Sequence, residues 1–410
     1  MALREDAAAI AGQIAELRHA IHREPEIGLD LPLTQEKVLA ALDGLPLEVI
    51  TGRKLTSVTA VLRGEAGNDG GVAEGRDMAR PSVLLRGDMD ALPVTETTGL
   101  PYASRFAGVM HACGHDLHTA MLAGAARLLC ARRAELRGDV IFMFQPGEEG
   151  YRGADKMIGE GVLAAAGERR PVAAYALHVS STQLPCGVFT TKPGPMLAAA
   201  DIIRVTVRGR GGHASQPHLA ADPITAACAM VTALQTLVTR QFDVFDPVVI
   251  TVGSFHAGTI ENVIPDEAQF LGTARSYSEA ARAKLREMIP QLCHGIAEGH
   301  GLTVQAEYME EYPVTVNDET EAAFAQTVAA EAFGELRSVP KRHPMTGAED
   351  FSYILQHVPG AFVSLGACPL DRDPATAPSN HSAEAVFDDA VLADGSALYA
   401  ELAMRRLGVA

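Results

Sequence analysis

The chain has 410 residues, 47% of them apolar, which is enough for two domains around a sizeable core. Its 34 Lys and Arg against 51 Asp and Glu give a net charge of −17, and the basic residues are scattered, which argues against a nucleic-acid partner. Charges recur every few residues at the N-terminus and no stretch is long and apolar enough to span a bilayer, so neither a signal peptide nor a membrane anchor is expected. The six widely spaced cysteines then read as reduced thiols of a cytoplasmic protein.

The opening DAAAIAGQIAELRHAI spaces Ile10, Ile14, Leu17 and Ile21 by three and four residues and predicts an amphipathic helix. Two β-rich runs follow, SVTAVLRG and SVLLRGDMDAL. Between them EAGNDGGVAEGRDMARP, rich in glycine and acid, reads as an exposed, mobile loop. A helix is expected over LHTAMLAGAARLLCARRAEL, then apolar strands in GDVIFMFQPGEEG and PVAAYALHVS. Strands alternating with helices imply a mostly parallel sheet, whose ligands gather beyond the carboxyl ends of the strands. Asp88, Asp90, Glu148, Glu149 and His178 fall at those ends.

From residue 198 the pattern changes. A strand in AAADIIRVTVRGRGGHAS, a helix from about Asp222 to Val238, strands in PVVITVGSFHAG and EAQFLGTARSYS, a helix from Ser278 and a strand in LTVQAEYMEEYP follow in turn. That βαββαβ order is the ferredoxin-like split motif and forms a compact unit of its own. After Pro313 the chain returns to a helix, the segment TGAEDFSYILQHVPGAFVSLG and a closing helix. The expected fold is therefore α/β: a discontinuous main domain (1–197 and 313–410), with a mixed sheet flanked by helices, interrupted by a smaller inserted domain (198–312).

Chemistry concentrates in HACGHDLH, residues 111–118. A Cys-x-His pair alone is more often a buried thiol beside a turn than a metal site. Adjacent carboxylates such as Glu148-Glu149 usually mark a solvated face, but an apolar strand and a Pro-Gly turn hold these. Singly, His178 reads as a hydrogen-bonded core histidine and His381 as a loop residue. Together, Cys113, His115, Glu149, His178 and His381 offer thiolate, imidazole and carboxylate donors of the kind that suit Zn²⁺, Mn²⁺ or Co²⁺ better than Ca²⁺ or Mg²⁺. Five ligands exceed the three of a mononuclear catalytic zinc, so two metals sharing a ligand and a bridging water are expected. Glu148, beside ligand Glu149, is then free to act as general base on that water.

The motifs LRHAIHREPEIG, LRGDMDALPVTE, MHACGHDLHTAMLAGAA, FQPGEEGYRGADKMIGEGV, GRGGHASQPHLAADPI, NVIPDEAQFLGTAR, GAEDFSYIL and NHSAEAVFDDAVL run in order from residue 17 to about 390. In them the sequence resembles the dinuclear metallopeptidase family of aminoacylases and carboxypeptidases, in its amidohydrolase branch of hippurate hydrolases and N-acyl-amino-acid deacylases. The resemblance implies a zinc-peptidase-like catalytic domain and an inserted lid or dimerisation domain, in a homodimer or homotetramer. It implies two divalent ions per subunit, Mn²⁺ or Zn²⁺ with Co²⁺ and Ni²⁺ as further candidates, on Cys113, His115, Glu149, His178 and His381, with Cys113 bridging. It makes Glu148 the general base and Asp90 a carboxylate that orients the site from behind the ligands. Peptidase-type members carry His-x-Asp where this chain has Asp88-Met89-Asp90, so His115 replaces one imidazole and Asp88 is left without an assigned contact. His213 is implied to reach across a dimer to stabilise the oxyanion. Asn262 and Arg275 are implied to face the substrate, Arg275 as a carboxylate clamp, and Gly347 to line the pocket.

The expected activity is hydrolysis of the amide of an N-acyl amino acid. The alternatives are a dipeptidase or carboxypeptidase of the same fold, a scaffold with a structural metal, and a Cys113–His115 thiol enzyme. Within HACGHDLH, Gly114 is expected to let the loop turn tightly, and His111, Asp116 and His118 to support the ligands from behind or to start the helix, with Asp116 placed to favour the helix N-terminus.

Overall fold

The structure, a computed structural model, describes residues 2–66 and 80–408. Most of the glycine- and acid-rich segment expected to be a mobile loop, residues 67–79, lies outside the described residues. In chain order the elements are α1 (Ala2–Arg23), α2 (Pro32–Leu42), β1 (Leu47–Thr51), β2 (Val58–Leu62), β3 (Ser82–Asp88), α3 (His115–Ala131), β4 (Asp139–Gln145), α4 (Gly153–Glu160), β5 (Ala173–Ser180), β6 (Phe189–Thr191) and β7 (Gly194–Leu197). Then come β8 (Ala199–Arg208), β9 (Gly212–His213), α5 (Pro223–Gln241), β10 (Val248–Ala257), β11 (Val263–Ile264), β12 (Glu267–Ser276), α6 (Glu279–Gly299) and β13 (Thr303–Tyr312). The chain closes with β14 (Thr315–Asn317), α7 (Glu319–Phe333), β15 (Ser338–Pro340), α8 (Phe351–Leu355), β16 (Gly360–Gly366) and α9 (Leu392–Leu407). Two compact units result, one of residues 1–196, 316–343 and 353–410, the other of 197–315 and 344–352. The segment 344–352 thus groups with the smaller unit, whereas the sequence reading places it in the main domain.

The larger unit is built on an eight-stranded sheet in the order β1-β2-β4-β3-β5-β16-β6-β15. Its middle is parallel (β4, β3, β5 and β16), and β1 and β2 join antiparallel at one side. Every residue of β3, β4 and β16 is buried, which is why these strands read as unbroken apolar runs and not as alternations. Helices α1, α3 and α9 contribute Ile14, Leu117, Met121, Leu128, Leu398 and Leu402 to the same core.

The smaller unit arranges its main strands β10-β12-β8-β13, all antiparallel. With α5 and α6 in the two connections, this is the ferredoxin-like order expected from the βαββαβ pattern. Alternate residues of β8 (Ile203, Val205 and Val207) pack into the helix-side core with Met230, Leu234, Phe270 and Leu285. Both helices start where the sequence signals a start. Asp222 accepts from the Ile224 amide ahead of Pro223, and Ser278 accepts from the Ala281 amide.

Candidate metal centre

Parallel strands bring their carboxyl ends to one edge. Asp88, the last residue of β3, pairs with Gln145, the last of β4, and Arg86 pairs with Ala176 of β5. Asp88, the 146–149 turn and His178 therefore share one level of the sheet. Into this edge runs the loop that ends at α3. Gly114 turns it in left-handed backbone at φ +85°, and a Cβ on it would lie 2.3 Å from Val179 Cγ2, so only glycine meets both demands.

Five expected ligands and the expected base converge here. Cys113 Sγ is 3.4 Å from His178 Nε2 and 3.2 Å from His381 Nε2. Glu149 Oε1 is 3.2 Å from His381 Nε2 and 4.0 Å from His115 Nε2. The donor atoms form two triads, Cys113–His115–His178 and Cys113–Glu149–His381, each with its atoms within 4.8 Å of one another. The Cys113 sulfur belongs to both. A third group, His115–Glu148–Glu149, brings in the neighbouring glutamate, which is 6% exposed.

The backbone fixes two of the imidazoles. His115 Nδ1 is 2.8 Å from the Asp90 carbonyl, and His178 Nδ1 is 2.8 Å from the Val179 carbonyl. A carbonyl only accepts, so each ring donates from Nδ1 and leaves Nε2 as its donor atom toward an ion. The Asp90 carboxylate in turn accepts from the Glu148 amide at 2.9 Å and the Glu149 amide at 3.0 Å, one oxygen for each.

The electrostatics of the site suit a bound cation. Burial would raise the Cys113 thiol, yet the surrounding His178, His115 and His381 imidazoles hold it well below its ordinary value. Burial and the nearby Cys113 sulfur raise the Glu149 carboxyl. Hydrogen bonds to Cys113 and Glu149 push His381 up to about 10. Most telling, His115 Nε2 is buried without a hydrogen-bond partner among the described residues, and the buried Glu149 Oε1 faces His381 Nε2 at 3.2 Å. Buried donor atoms without partners are costly unless an ion takes them, so the residues present fit a divalent-metal centre.

Asp88 stands in a further group of donor atoms with His115 and His118, its Oδ2 3.6 Å from His115 Nε2. Its Oδ2 receives Arg86 Nη1 at 2.6 Å, and both side chains are fully buried. Asp116 sits at the start of α3, as expected, and also holds α1. It is buried, and its Oδ2 accepts from Arg18 Nε at 3.0 Å and His22 Nδ1 at 2.9 Å. Its main duty is as counter-charge to α1. His111 is buried, neither ring nitrogen has a hydrogen-bond partner among the described residues, and burial lowers it to about 3, which keeps it neutral.

Residues expected to face the substrate from the smaller unit are only partly gathered. His213 and Asn262 line one cleft of about 530 Å³ together with Gly211, Val263 and Asp266. His213 Nδ1 accepts from the Ser215 amide and lies 2.9 Å from its hydroxyl, on the exposed β9–β11 ribbon. Arg275, near the far end of β12, donates to Thr273 Oγ1 at 2.7 Å, and Gly347 accepts from the Ala198 amide; neither lines that cleft. Glu349 accepts from the Phe351 amide at 3.0 Å. The sequence reading missed Asn380, which touches Cys113, and the pairing of Arg18 and His22 with Asp116. Their one available signal was position, beside His381 and inside LRHAIH.

Among the described residues no helix is long and apolar enough to cross a membrane. The chain is 36% identical to thermostable carboxypeptidase 2 of Saccharolobus solfataricus over 98% of both chains. It is 34% identical to the hippurate hydrolase of Campylobacter jejuni over 97% of both. A crystal structure of the Bacillus subtilis YXEP protein, described as a dinuclear metal-binding peptidase, superposes with a TM-score of 0.80 at 31% identity, covering 98% of this chain and 99% of that one. The model of peptidase family M20/M25/M40 matches residues 84–405, and the chain belongs to that family.

Proposed function

We propose that the protein is a metal-dependent amidohydrolase that cleaves the amide of N-acyl amino acids, of the hippurate or N-acetyl type, to a carboxylic acid and a free amino acid. The observation that carries this reading is the pair of triads sharing Cys113, with Glu148 buried beside them and outside both. Cys113, His115, Glu149, His178 and His381 would hold two divalent ions, Mn²⁺ or Zn²⁺ with Co²⁺ or Ni²⁺ as substitutes. When bound, such ions supply Lewis-acid polarisation of a carbonyl and make water more acidic. Glu148 takes the proton from the attacking water and delivers it to the leaving amine nitrogen. Asp90 aligns this chemistry, because its two oxygens grip the consecutive amides that present base and ligand on one turn.

We assign His213 to the developing oxyanion, acting from a second copy in a homodimer or homotetramer, and Asn262 to the substrate. Their shared cleft supports treating them together. Arg275 is assigned to the free carboxylate of the amino acid, since burial disfavours its unpaired charge and an anion would relieve that. Gly347 is assigned to the pocket lining. The nearly full-length likeness to a hippurate hydrolase and to a dinuclear metal-binding peptidase supports this reading.

The test is E148Q assayed on a panel of N-acyl amino acids with metal counted per chain. Turnover should vanish while two ions remain; wild-type turnover in E148Q would sink the mechanism. The likeness to a carboxypeptidase favours a second reading, cleavage of peptides at a free carboxyl end. Higher kcat/KM on peptides than on any N-acyl amino acid would favour it.

A further inference from the structure

The segment that carries His381 is held in a costly shape. His381 has φ +71°, in the left-handed region that residues other than glycine seldom adopt, and its amide donates to the Ala112 carbonyl at 2.8 Å. Such backbone persists only where neighbours over-determine it. The residue before it does this. Asn380 Oδ1 accepts from the Ser181 amide at 3.0 Å and from the Ser181 hydroxyl at 3.1 Å. Asn380 Nδ2 donates to the Val179 carbonyl at 3.0 Å and to the Cys113 carbonyl at 3.3 Å, and lies 3.8 Å from the Cys113 sulfur.

One carboxamide therefore ties together the three segments that bear Cys113, His178 and His381. The Val179 carbonyl it reaches is the one that fixes the His178 ring through Nδ1. The N–H aimed at Cys113 is shared between carbonyl and sulfur, so it also stabilises negative charge on the thiolate. We propose that Asn380 is a positioning residue that sets the Cys113–His178–His381 side of the metal centre and acts as hydrogen-bond donor to the thiolate. No other common side chain of this size offers an acceptor on one side and two donors on the other. Aspartate matches its shape but would turn a second oxygen toward two carbonyls and the sulfur.

This proposal rests on the metal-centre reading, and the experiment separates the two. Wild type, N380D and N380A are stripped with a chelator, checked for the thermal midpoint of the metal-free chain, and titrated with Co²⁺. Metal per chain and the near-ultraviolet thiolate-to-cobalt band are recorded. The expected result is two ions in wild type, metal-free midpoints close together, and affinity about 10- to 100-fold weaker in the variants with a shifted or weakened thiolate band. If N380D does not fold, N380A, which removes the donors without adding charge, gives the answer. Two ions bound with wild-type affinity and an unaltered band in a folded variant would overturn the positioning role alone. A wild-type chain that takes up no Co²⁺ would overturn the metal reading and this proposal with it.

Discussion

Asp88 Oδ1 and His118 Nδ1 lie 2.6 Å apart in a fully buried contact, and the direction of the proton between them is determined. The Val179 amide donates to His118 Nε2 at 2.8 Å, so that nitrogen must be the acceptor. The ring is a neutral tautomer with its hydrogen on Nδ1, donated to Asp88. Burial, which lowers His118 to about 4, agrees with the neutral form. Arg86, Asp88 and His118 thus form a relay that connects the end of β3, the first turn of α3 and the stretch of β5 that carries His178.

From this relay, D88N is expected to cost stability and not metal. Both Asp88 oxygens are engaged, one by Arg86 and one by His118, so the carboxylate is a counter-charge. Removing the charge takes the counter-ion from a buried guanidinium, at a cost of about 3 kcal/mol. Urea unfolding should register that loss while metal per chain stays at the wild-type value. Loss of one ion from folded D88N would make Asp88 a ligand after all.

Gly114 gives a sharper test of loop geometry. G114A must place a methyl 2.3 Å from Val179 Cγ2 and hold φ near +85°, whereas Gly108, at φ +80°, has nothing within 4 Å of its added Cβ. G108A should cost only the left-handed strain of about 1–2 kcal/mol. G114A should cost more and weaken metal binding as well, because Cys113 and His115 flank it. Equal midpoints and equal metal affinity in the two variants would remove the steric argument.

Much of this was legible in the sequence, for physical reasons. Strands β3 and β4 are buried on both faces, so their apolar runs stand out, and the ligand types cluster where those runs end. Other elements left no such trace. α2 has no side-chain cap at Leu31 and only Pro32 to mark its start, and β1 is an edge strand with four of its five residues exposed, so it shows no alternation. Asn380 was invisible for another reason. Its partners Ser181 and Cys113 are 199 and 267 residues away, and a polar residue in a polar loop has no periodicity to betray a long-range contact. For Asp116 the position at a helix start was plain, while its partners Arg18 and His22 on α1 were not.

The α1 contact has a pH signature. Burial would lower His22, but Asp116 at 2.9 Å and Glu96 at 3.4 Å raise it to about 9. A histidine whose folded pKa exceeds its unfolded value near 6.5 stabilises the protein fully below that value. The contribution then fades as pH rises through about 9. The difference in unfolding free energy between wild type and H22Q should therefore be largest near pH 6 and shrink toward pH 10. Both proteins share one metal centre, so its own pH dependence cancels in the difference. A difference that grows toward alkaline pH would show that His22 is neutral in the folded chain.

Asp90 joins the fold to the chemistry, and D90N should separate them. Asparagine can still accept from one of the two amides, but its NH₂ must face the other, and two donors in contact repel. The turn bearing Glu148 and Glu149 would shift, while the Asp90 carbonyl, which holds His115 Nδ1, is unchanged by the substitution. One ligand and the base would be displaced with the opposite imidazoles still in place. Metal affinity is expected to fall by about 10- to 100-fold, the usual effect of losing a group that orients ligands. At saturating metal kcat should still be lowered, because the base itself has moved, while KM for an N-acyl amino acid changes little. Recovery of wild-type kcat simply by adding metal would show that Asp90 serves the ion and not the alignment of Glu148.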